Sequence, residues 1–231
     1  MAEPERMKIV VNSRGPYRVV GKVPLSVQTI TPNAAGESWD WTEGRKFDVD
    51  EEYLLCRCGQ SKNKPFCDGS HLKVGFEGKE TASRRPIERQ SEHFEGPDLV
   101  LSDDENLCAF ARFCDPGGKI WSLIEHTDRP EIRDLVIREM SHCPSGRLVL
   151  REKGARGPIE PKLPPSIGIV EDPVMECSGP LWVRGDIRVE SADGKAYERR
   201  NRLTLCRCGA SSNMPFCNGS HASIKFHDGL R

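Results

Sequence analysis

The sequence predicts a mainly β, α+β fold in which two β-rich repeats flank a small α/β insert. The first observation is an internal repeat: two seventeen-residue windows, Leu55–His71 and Leu205–His221, align without a gap and are identical at 13 positions. The second is composition, since 21 Gly and 17 Pro among 231 residues, with only 6% aromatic residues, favour short strands and turns over one thick core. The third is that the residues between the windows resemble neither copy, which indicates an insertion between two related units.

Each repeat is predicted as a hairpin followed by a strand that leads into the shared window. Residues 15–21 (GPYRVVG) match residues 179–185 (GPLWVRG), and the final glycine of each stretch suits a bend. Apolar and polar residues alternate through 181–189, which indicates strands. These landmarks are offset by 164 residues and the windows by 150, so the first copy carries about 14 additional residues, which we place in the polar, turn-rich stretch 31–44.

The insert carries the signals of one helix. Asp128 is the expected N-cap and Pro130 the expected first-turn residue. Apolar residues follow at helical spacing, at positions 132, 135, 136 and 140. We therefore expect a first repeat at 1–97, the insert at 98–153, a Pro-rich linker at 154–168 and a second repeat at 169–231.

Charge and hydropathy exclude several classes of function. The net charge is −1, which gives no basic footprint for nucleic acid. No apolar stretch approaches the roughly 18–20 residues of a membrane span. The first residues, MAEPERMKIVV, resemble neither a secretory signal nor a transit peptide, so we expect a cytoplasmic protein.

The ten cysteines are clustered, which in a reducing compartment indicates metal ligands rather than disulfides. One group lies in each window and a looser group lies in the insert. The groups are Cys56, Cys58 and Cys67; Cys206, Cys208 and Cys217; and Cys108, Cys114 and Cys143, with Cys177 left alone as a structural cysteine.

Each window contains the pattern C-x-C, eight residues, C, three residues, H, which places four donors within sixteen residues. Zinc accepts three Cys and one His, so the identity of the ligands leaves zinc and iron–sulfur sites open. Zinc loops usually separate their first two cysteines by two to four residues, whereas C-x-C brings two thiolates close together and suits two ligands on one iron. The candidate ligands are Cys56, Cys58, Cys67 and His71, and Cys206, Cys208, Cys217 and His221.

These windows resemble the CDGSH iron–sulfur domain, also called the NEET family, whose pattern is C-x-C-x₂-[ST]-x₃-P-x-C-D-G-[STA]-H. Residues 56–71 meet it in full, and the second copy departs once, with Asn218 in place of Asp. The resemblance implies one 2Fe–2S cluster per window, held by the candidate ligands. It also implies that both repeats form one intertwined, pseudo-twofold unit within a single chain, so we expect a monomer.

The single imidazole ligand of each site predicts its redox and acid behaviour. Imidazole titrates near physiological pH and releases metal when it is protonated, whereas thiolate does not. It also raises the reduction potential relative to four thiolates. Because an Asp near a His favours the imidazolium, Asn218 predicts a second cluster that resists acid better and has the higher potential.

The insert contains a second cysteine pattern, C-x₅-C at Cys108 and Cys114 followed by CPSG from Cys143. It resembles a divergent single-cluster ferredoxin family. Bacterial ferredoxins use C-x₂-C-x₂-C with a further C-P, and here Ala111 replaces the central cysteine. We therefore expect a 3Fe–4S cluster, the alternatives being a 4Fe–4S cluster with a non-cysteine ligand or a degenerate, empty site.

No nucleophile elbow, phosphate loop or paired-carboxylate pattern stands out, so we expect no catalytic residues and no enzyme. The leading hypothesis is electron transfer or redox sensing with a separate redox partner protein. The alternatives are an iron–sulfur cluster donor and an electron-transfer subunit of a redox enzyme.

Overall fold

Two mixed β-sheets, each built from strands of both repeats, form the body of the computed structural model, which describes residues 6–230. The first sheet has the order β12 (Arg188–Glu190), β1 (Lys8–Val11), β2 (Tyr17–Val20), β5 (Glu52–Leu55). The second has the order β13 (Arg202–Leu205), β11 (Cys177–Arg184), β10 (Ser166–Asp172), β3 (Leu25–Pro32), β4 (Ser38–Phe47). The predicted β-rich class is confirmed.

Each repeat contributes strands to the sheet of the other, β12 from the second repeat and the β3–β4 hairpin from the first. β12 of the second repeat pairs in parallel with β1 of the first, and β3 of the first pairs in parallel with β10 of the second. The remaining neighbours in both sheets are antiparallel. Because the two exchanges are equivalent, the repeats are intertwined about a pseudo-twofold axis, as the family resemblance implied.

The stretch predicted as turn-rich, 31–44, is instead the tip of a two-stranded hairpin. β3 and β4 pair in an antiparallel register that runs from Leu25 opposite Phe47 to Pro32 opposite Ser38. The polar side chains that indicated a turn lie on β4, whose residues are mostly exposed. An edge strand with an exposed face needs no apolar alternation, which is why its sequence resembles a loop.

A shared apolar core lies between the two sheets and joins the repeats. Ile9, Val19, Ile167 and Leu205 are each at most 1% exposed and belong to one contiguous cluster. Tyr17 also crosses from one repeat to the other, since its hydroxyl donates to the carbonyls of Cys206 (2.8 Å) and Pro215 (3.0 Å). A residue of the first repeat therefore helps to hold the second cysteine window in position.

Each cysteine window follows a strand and ends in a short helix. β5 leads into the first window and β13 into the second. The single-turn helix α1 (Ser70–Lys73) ends the first window, and an equivalent single-turn helix, Ser220–Ser223, ends the second. A left-handed glycine, at Gly69 or Gly219, precedes each helix.

The insert forms a separate antiparallel sheet with its own core. Its strand order is β6 (Glu92–Glu95), β7 (Leu99–Asp103), β8 (Leu148–Glu152), β9 (Pro158–Ile159). Two helices, α2 (Ile120–Leu123) and α3 (Pro130–His142), pack with it, and α4 (Ser220–Ser223) belongs to the second repeat. This sheet begins before residue 98 and reaches into the Pro-rich segment 154–168. Three short 3₁₀ turns lie at Ile87–Arg89, Glu105–Leu107 and Ile124–His126.

The predicted helix is present, but its N-cap prediction is wrong by one residue. α3 begins at Pro130, and Arg129 is the N-cap, without a side-chain capping bond. Proline disfavours helical backbone in the residue before it, and Arg129 is accordingly extended, at φ −89° and ψ 119°. Within residues 6–230, no helix has both the length and the apolar character of a membrane span.

A buried carboxyl lies on the inner face of α3. Glu139 is 2% exposed, and within the described residues neither of its carboxylate oxygens has a hydrogen-bond partner. Burial raises its pKa to about 9, and the negative charges of Asp115 and Glu37 add to the effect. The folded protein therefore holds this group protonated at neutral pH.

We expect Glu139→Gln to stabilise the protein in a pH-dependent way. A carboxyl with a raised pKa contributes stability below its unfolded pKa of about 4.3, and this contribution is lost as the pH rises toward its folded pKa. At pH 8 the substitution should add about 2 kcal/mol and raise Tm by about 4–8 °C, with little change at pH 5. Circular dichroism melts at both pH values measure this. Glu131→Gln, an exposed position on the same helix, is the control, and an equal gain at both pH values would contradict the prediction.

Candidate metal centres

The two windows fold into the same loop. In the first, the amide of Cys56 donates to the carbonyl of Pro65 (2.8 Å), and the amide of Cys67 donates to the carbonyl of Leu54 (2.9 Å). The second window repeats both bonds, at 2.8 and 2.9 Å, from Cys206 and Cys217. These bonds hold the third cysteine of each loop beside the strand that carries the first.

The candidate ligands meet in pairs. The sulfurs of Cys56 and Cys58 are 3.8 Å apart, and the Cys67 sulfur is 3.4 Å from Nδ1 of His71. The second window gives 3.7 Å for Cys206 to Cys208 and 3.4 Å for Cys217 to His221. Two ligands on one tetrahedral metal at about 2.1–2.3 Å are separated by about 3.5–3.8 Å. Each pair therefore has the spacing of two ligands on one metal.

Each window supplies its donors as two pairs. A tetrahedral zinc ion needs all four donors around one centre, whereas a cluster of two irons needs two donors at each end. The number and the spacing of the donors match what a two-iron centre needs.

The two windows differ in burial. Cys217 is 2% exposed and His221 is 4% exposed. Their counterparts Cys67 and His71 are only half-buried. The first candidate centre therefore faces solvent through its Cys67–His71 pair, and the second does not.

Burial sets the protonation of these groups in the absence of metal. Burial raises the pKa of Cys58 to about 11 and also raises the pKa of Cys67 and Cys217. The pKa of Cys206 is lowered to about 6 because Cys208 stabilises its thiolate by hydrogen bonding. Burial, together with the positive charge of Arg207, lowers the pKa of His221 to about 4. A bound metal would take the place of the thiol protons, so binding is coupled to proton release.

The residue after the third cysteine organises the turn in both copies. The carboxylate of Asp68 accepts from the amides of Lys62 (2.8 Å) and Ser70 (2.9 Å), and these bonds lower its pKa. The side-chain oxygen of Asn218 accepts from the Ser220 amide (3.2 Å), and its amide group donates to the Ser212 hydroxyl (2.8 Å). The exchange of Asp for Asn thus keeps the turn while removing one charge. The greater acid resistance expected of the second site stays a prediction.

Sequence reasoning missed the arginine between the first two cysteines of each window. Arg57 is 1% exposed, and its guanidinium donates to the carbonyls of Asn12 and Gly78. Arg207 is 3% exposed and forms ion pairs with Glu171 and Asp228. The available signal was that C-R-C is identical in both copies, although arginine is rarely buried.

The three insert cysteines share one environment. Burial raises the pKa of Cys114 strongly, and negative charge at Cys143 and Cys108 raises it further. Arg147 lies near Cys108 and Cys143, so its positive charge is close to this group. Three neighbouring cysteines supply the kind of sulfur ligands that a cluster of several irons uses.

Ala111, at the position of the missing cysteine, belongs to an apolar cluster. Its side chain is 8% exposed and packs in an apolar cluster with Phe113 and Trp182. The methyl group therefore contributes to packing between the insert and the second sheet.

The family described as "Iron-binding zinc finger CDGSH type" matches residues 14–72 and, separately, residues 178–222. The chain therefore contains two CDGSH-type segments. The family described as "Divergent 4Fe-4S mono-cluster" matches residues 94–153, between the two CDGSH segments. Both resemblances derived from the sequence are confirmed, and the chain is an iron–sulfur protein of tandem CDGSH layout. No curated protein and no solved structure matched the chain.

Proposed function

We propose that this CDGSH chain is an electron-transfer protein with two 2Fe–2S clusters and a third cluster in the insert. Cys56 and Cys58 would hold one iron of the first cluster, and Cys67 and His71 the other. The second cluster would use Cys206 and Cys208 on one iron, and Cys217 and His221 on the other. The observation that supports this most directly is the pairing of the donors at 3.4–3.8 Å, repeated in both windows.

The protein residues around each site would set its redox behaviour. A bound 2Fe–2S cluster supplies reversible one-electron chemistry. The amide of Gln60 points at the Cys58 sulfur (3.4 Å), and the amide of Gly219 points at the Cys217 sulfur (3.4 Å). Hydrogen bonds to sulfur ligands stabilise negative charge and favour reduction. Each site would therefore combine a neutral imidazole ligand with a backbone donor, and both features raise the potential.

The third cluster would be held by Cys108, Cys114 and Cys143. Three thiolates provide for three irons, and the buried Ala111 leaves the fourth position without a ligand, which supports a 3Fe–4S cluster. The matching family carries a 4Fe–4S description, and a fourth iron here would need a ligand other than cysteine.

In the proposed role, this protein exchanges single electrons with a redox partner protein in the cytoplasm. Any catalysis would take place on that other chain. A second candidate is cluster donation, which the half-buried Cys67–His71 pair favours. Transfer of iron and sulfide to an apo-ferredoxin would support donation. Retention of all clusters through repeated redox cycles supports electron transfer.

Iron and acid-labile sulfide analysis with EPR on anaerobically purified protein tests the proposal. We expect about seven irons per chain with a 3Fe–4S signal in the oxidised state, or about eight with a 4Fe–4S signal in the reduced state. Cys114→Ala should remove only the insert's irons and leave about four. Stoichiometric zinc without labile sulfide would overturn the proposal.

A further inference from the structure

The insert's cysteine loop, residues 106–114, packs on the second CDGSH loop. A Cβ atom at Gly219 would lie 3.2 Å from Cβ of Phe110 and 3.3 Å from the carbonyl oxygen of Cys108. At the equivalent Gly69, no described atom lies within 4 Å. Among the described residues, the insert therefore contacts the second CDGSH loop at this glycine and does not contact the first at its equivalent.

Polar contacts fix this loop in place. The side-chain amide of Asn213, in the second CDGSH loop, donates to the carbonyl of Asn106 (2.9 Å). Arg112 makes a two-pronged ion pair with Asp172 at the end of β10, at 2.6 and 3.1 Å. Asp172 is only 4% exposed at its side chain, so this pair is largely shielded from water. Bidentate, charge-assisted bonds of this kind define orientation as well as adding energy.

This contact brings two candidate centres side by side. Cys108 is a candidate ligand of the insert, and its carbonyl oxygen lies against Gly219, two residues after Cys217, a candidate ligand of the second CDGSH site. At the first CDGSH site, the equivalent Gly69 has no described neighbour within 4 Å.

Resting on the proposed function, we propose that the contact between loop 106–114 and the second CDGSH loop is an internal electron relay. With both clusters bound, one electron would pass from the insert's cluster to the second CDGSH cluster, so the former would be oxidised and the latter reduced by one electron. No bond or proton would change place, and an external low-potential one-electron donor protein would supply the electron. Imidazole ligation raises the potential of a 2Fe–2S cluster above that of the same cluster with four thiolates, which favours the second CDGSH cluster as the acceptor.

Because a pseudo-twofold axis relates the two CDGSH sites, equivalent substitutions in them give a matched pair of variants. The test is EPR spectroscopy of the reduced and the oxidised holo-protein. Cys67→Ala removes the first CDGSH cluster and leaves the second, whereas Cys217→Ala does the reverse. We expect the remaining CDGSH signal of the Cys67→Ala protein to be broadened by spin coupling to the insert's cluster, and that of the Cys217→Ala protein to be narrow. Equal broadening in both proteins, or broadening in the Cys217→Ala protein alone, overturns the relay.

This test separates the relay from the proposed function. If the insert's irons and signal are present but neither CDGSH signal is broadened, the relay fails and the three-cluster proposal stands. If the insert's signal is absent, the relay has no donor and both fail. Cys114→Ala should abolish the broadening.

A second pair of variants keeps every cluster ligand. Asn213→Ala removes the hydrogen bond to Asn106, and the equivalent Asn63→Ala removes no described contact with the insert. Each variant is rapidly reduced with less than one electron per chain and followed by freeze-quench EPR. We expect the second CDGSH cluster to be reduced several-fold more slowly in Asn213→Ala than in the unsubstituted protein, and at an unchanged rate in Asn63→Ala. Equal rates in the two variants overturn the relay.

Discussion

Arg207→Met is expected to destabilise the protein by about 3–5 kcal/mol, because it leaves two buried carboxylates without their cation. The Arg207 guanidinium donates to Glu171 (2.8 Å) and to Asp228, and the three side chains are at most 3% exposed. Removing one partner of a buried ion pair costs far more than the pair contributes, since the remaining charge keeps its desolvation penalty.

The two carboxyl groups beside Arg207 have pKa values that are shifted in opposite directions. Burial raises the pKa of Glu171, and the positive charge of Arg207 offsets only part of that effect. For Asp228, burial also raises the pKa, but the charge and hydrogen bonding of Arg207, with hydrogen bonds from the Leu230 amide and Glu171, lower it overall. The guanidinium of Arg207 therefore interacts with two acids, and its loss would remove that positive charge from both.

Arg57→Met, the pseudo-equivalent change in the first window, is the matched control. Arg57 is as buried as Arg207, but within the described residues it forms no ion pair and donates to backbone carbonyls. Its loss leaves unpaired acceptors, at a cost of about 1–3 kcal/mol. Thermal melts of the holo-protein should show Tm lowered by about 6–20 °C for Arg207→Met and by clearly less for Arg57→Met. Equal losses in the two variants would contradict this account.

The cysteine windows could be predicted because the residues that define each one lie close together in the sequence. Four candidate donors lie within sixteen residues, at a spacing that a single loop can bring together, and the repeat itself showed that the chain has two such loops. The strand before each window was also predicted, because strand alternation is a short-range signal. The predicted hairpin was wrong, since the strands on either side of Gly21 lie in different sheets, as do those on either side of Gly185.

The features that distinguish the two sites could not be predicted, because they depend on residues far apart in sequence. The Asn106–Asn213 bond joins residues 107 positions apart, and Arg112 reaches across 60 positions to Asp172. No motif in the sequence indicates that the residues of either pair are in contact. Sequence analysis therefore attributed the difference between the sites to Asn218 alone, whereas the structure adds the contact of the insert with the second CDGSH loop at Gly219.

The exchange of strands followed only from the family resemblance, for a related reason. Parallel pairing of β3 with β10 joins segments more than 130 residues apart, such as Leu25 opposite Ile167. A strand's own alternation reports which face is buried but not which strand lies beside it. The buried Glu139 was missed similarly, since a glutamate on an amphipathic helix is normally exposed.

Gly59→Ala is expected to disturb both cluster loops, although it changes only the first. The loops meet at the pseudo-twofold axis, where Cys58 and Cys208 form an antiparallel bridge. A Cβ at Gly59 would lie 2.5 Å from the carbonyl oxygen of Cys208 and 2.9 Å from its carbonyl carbon. Both obstructing atoms are backbone, so the loops must separate. The positive φ of 75° at Gly59 adds a conformational cost, and the total is about 3–5 kcal/mol.

Gly209→Ala should reproduce this effect from the other side, since its Cβ would lie 2.5 Å from the carbonyl oxygen of Cys58. Gly36→Ala is the control for backbone strain alone, because its φ is 83° but no described atom lies within 4 Å. That change should cost only about 1–2 kcal/mol and leave iron content unchanged. Iron, sulfide and thermal melts measure all three proteins. If Gly59→Ala and Gly209→Ala each weakened only the centre of their own window, the two loops would not be mechanically coupled through the Cys58–Cys208 bridge.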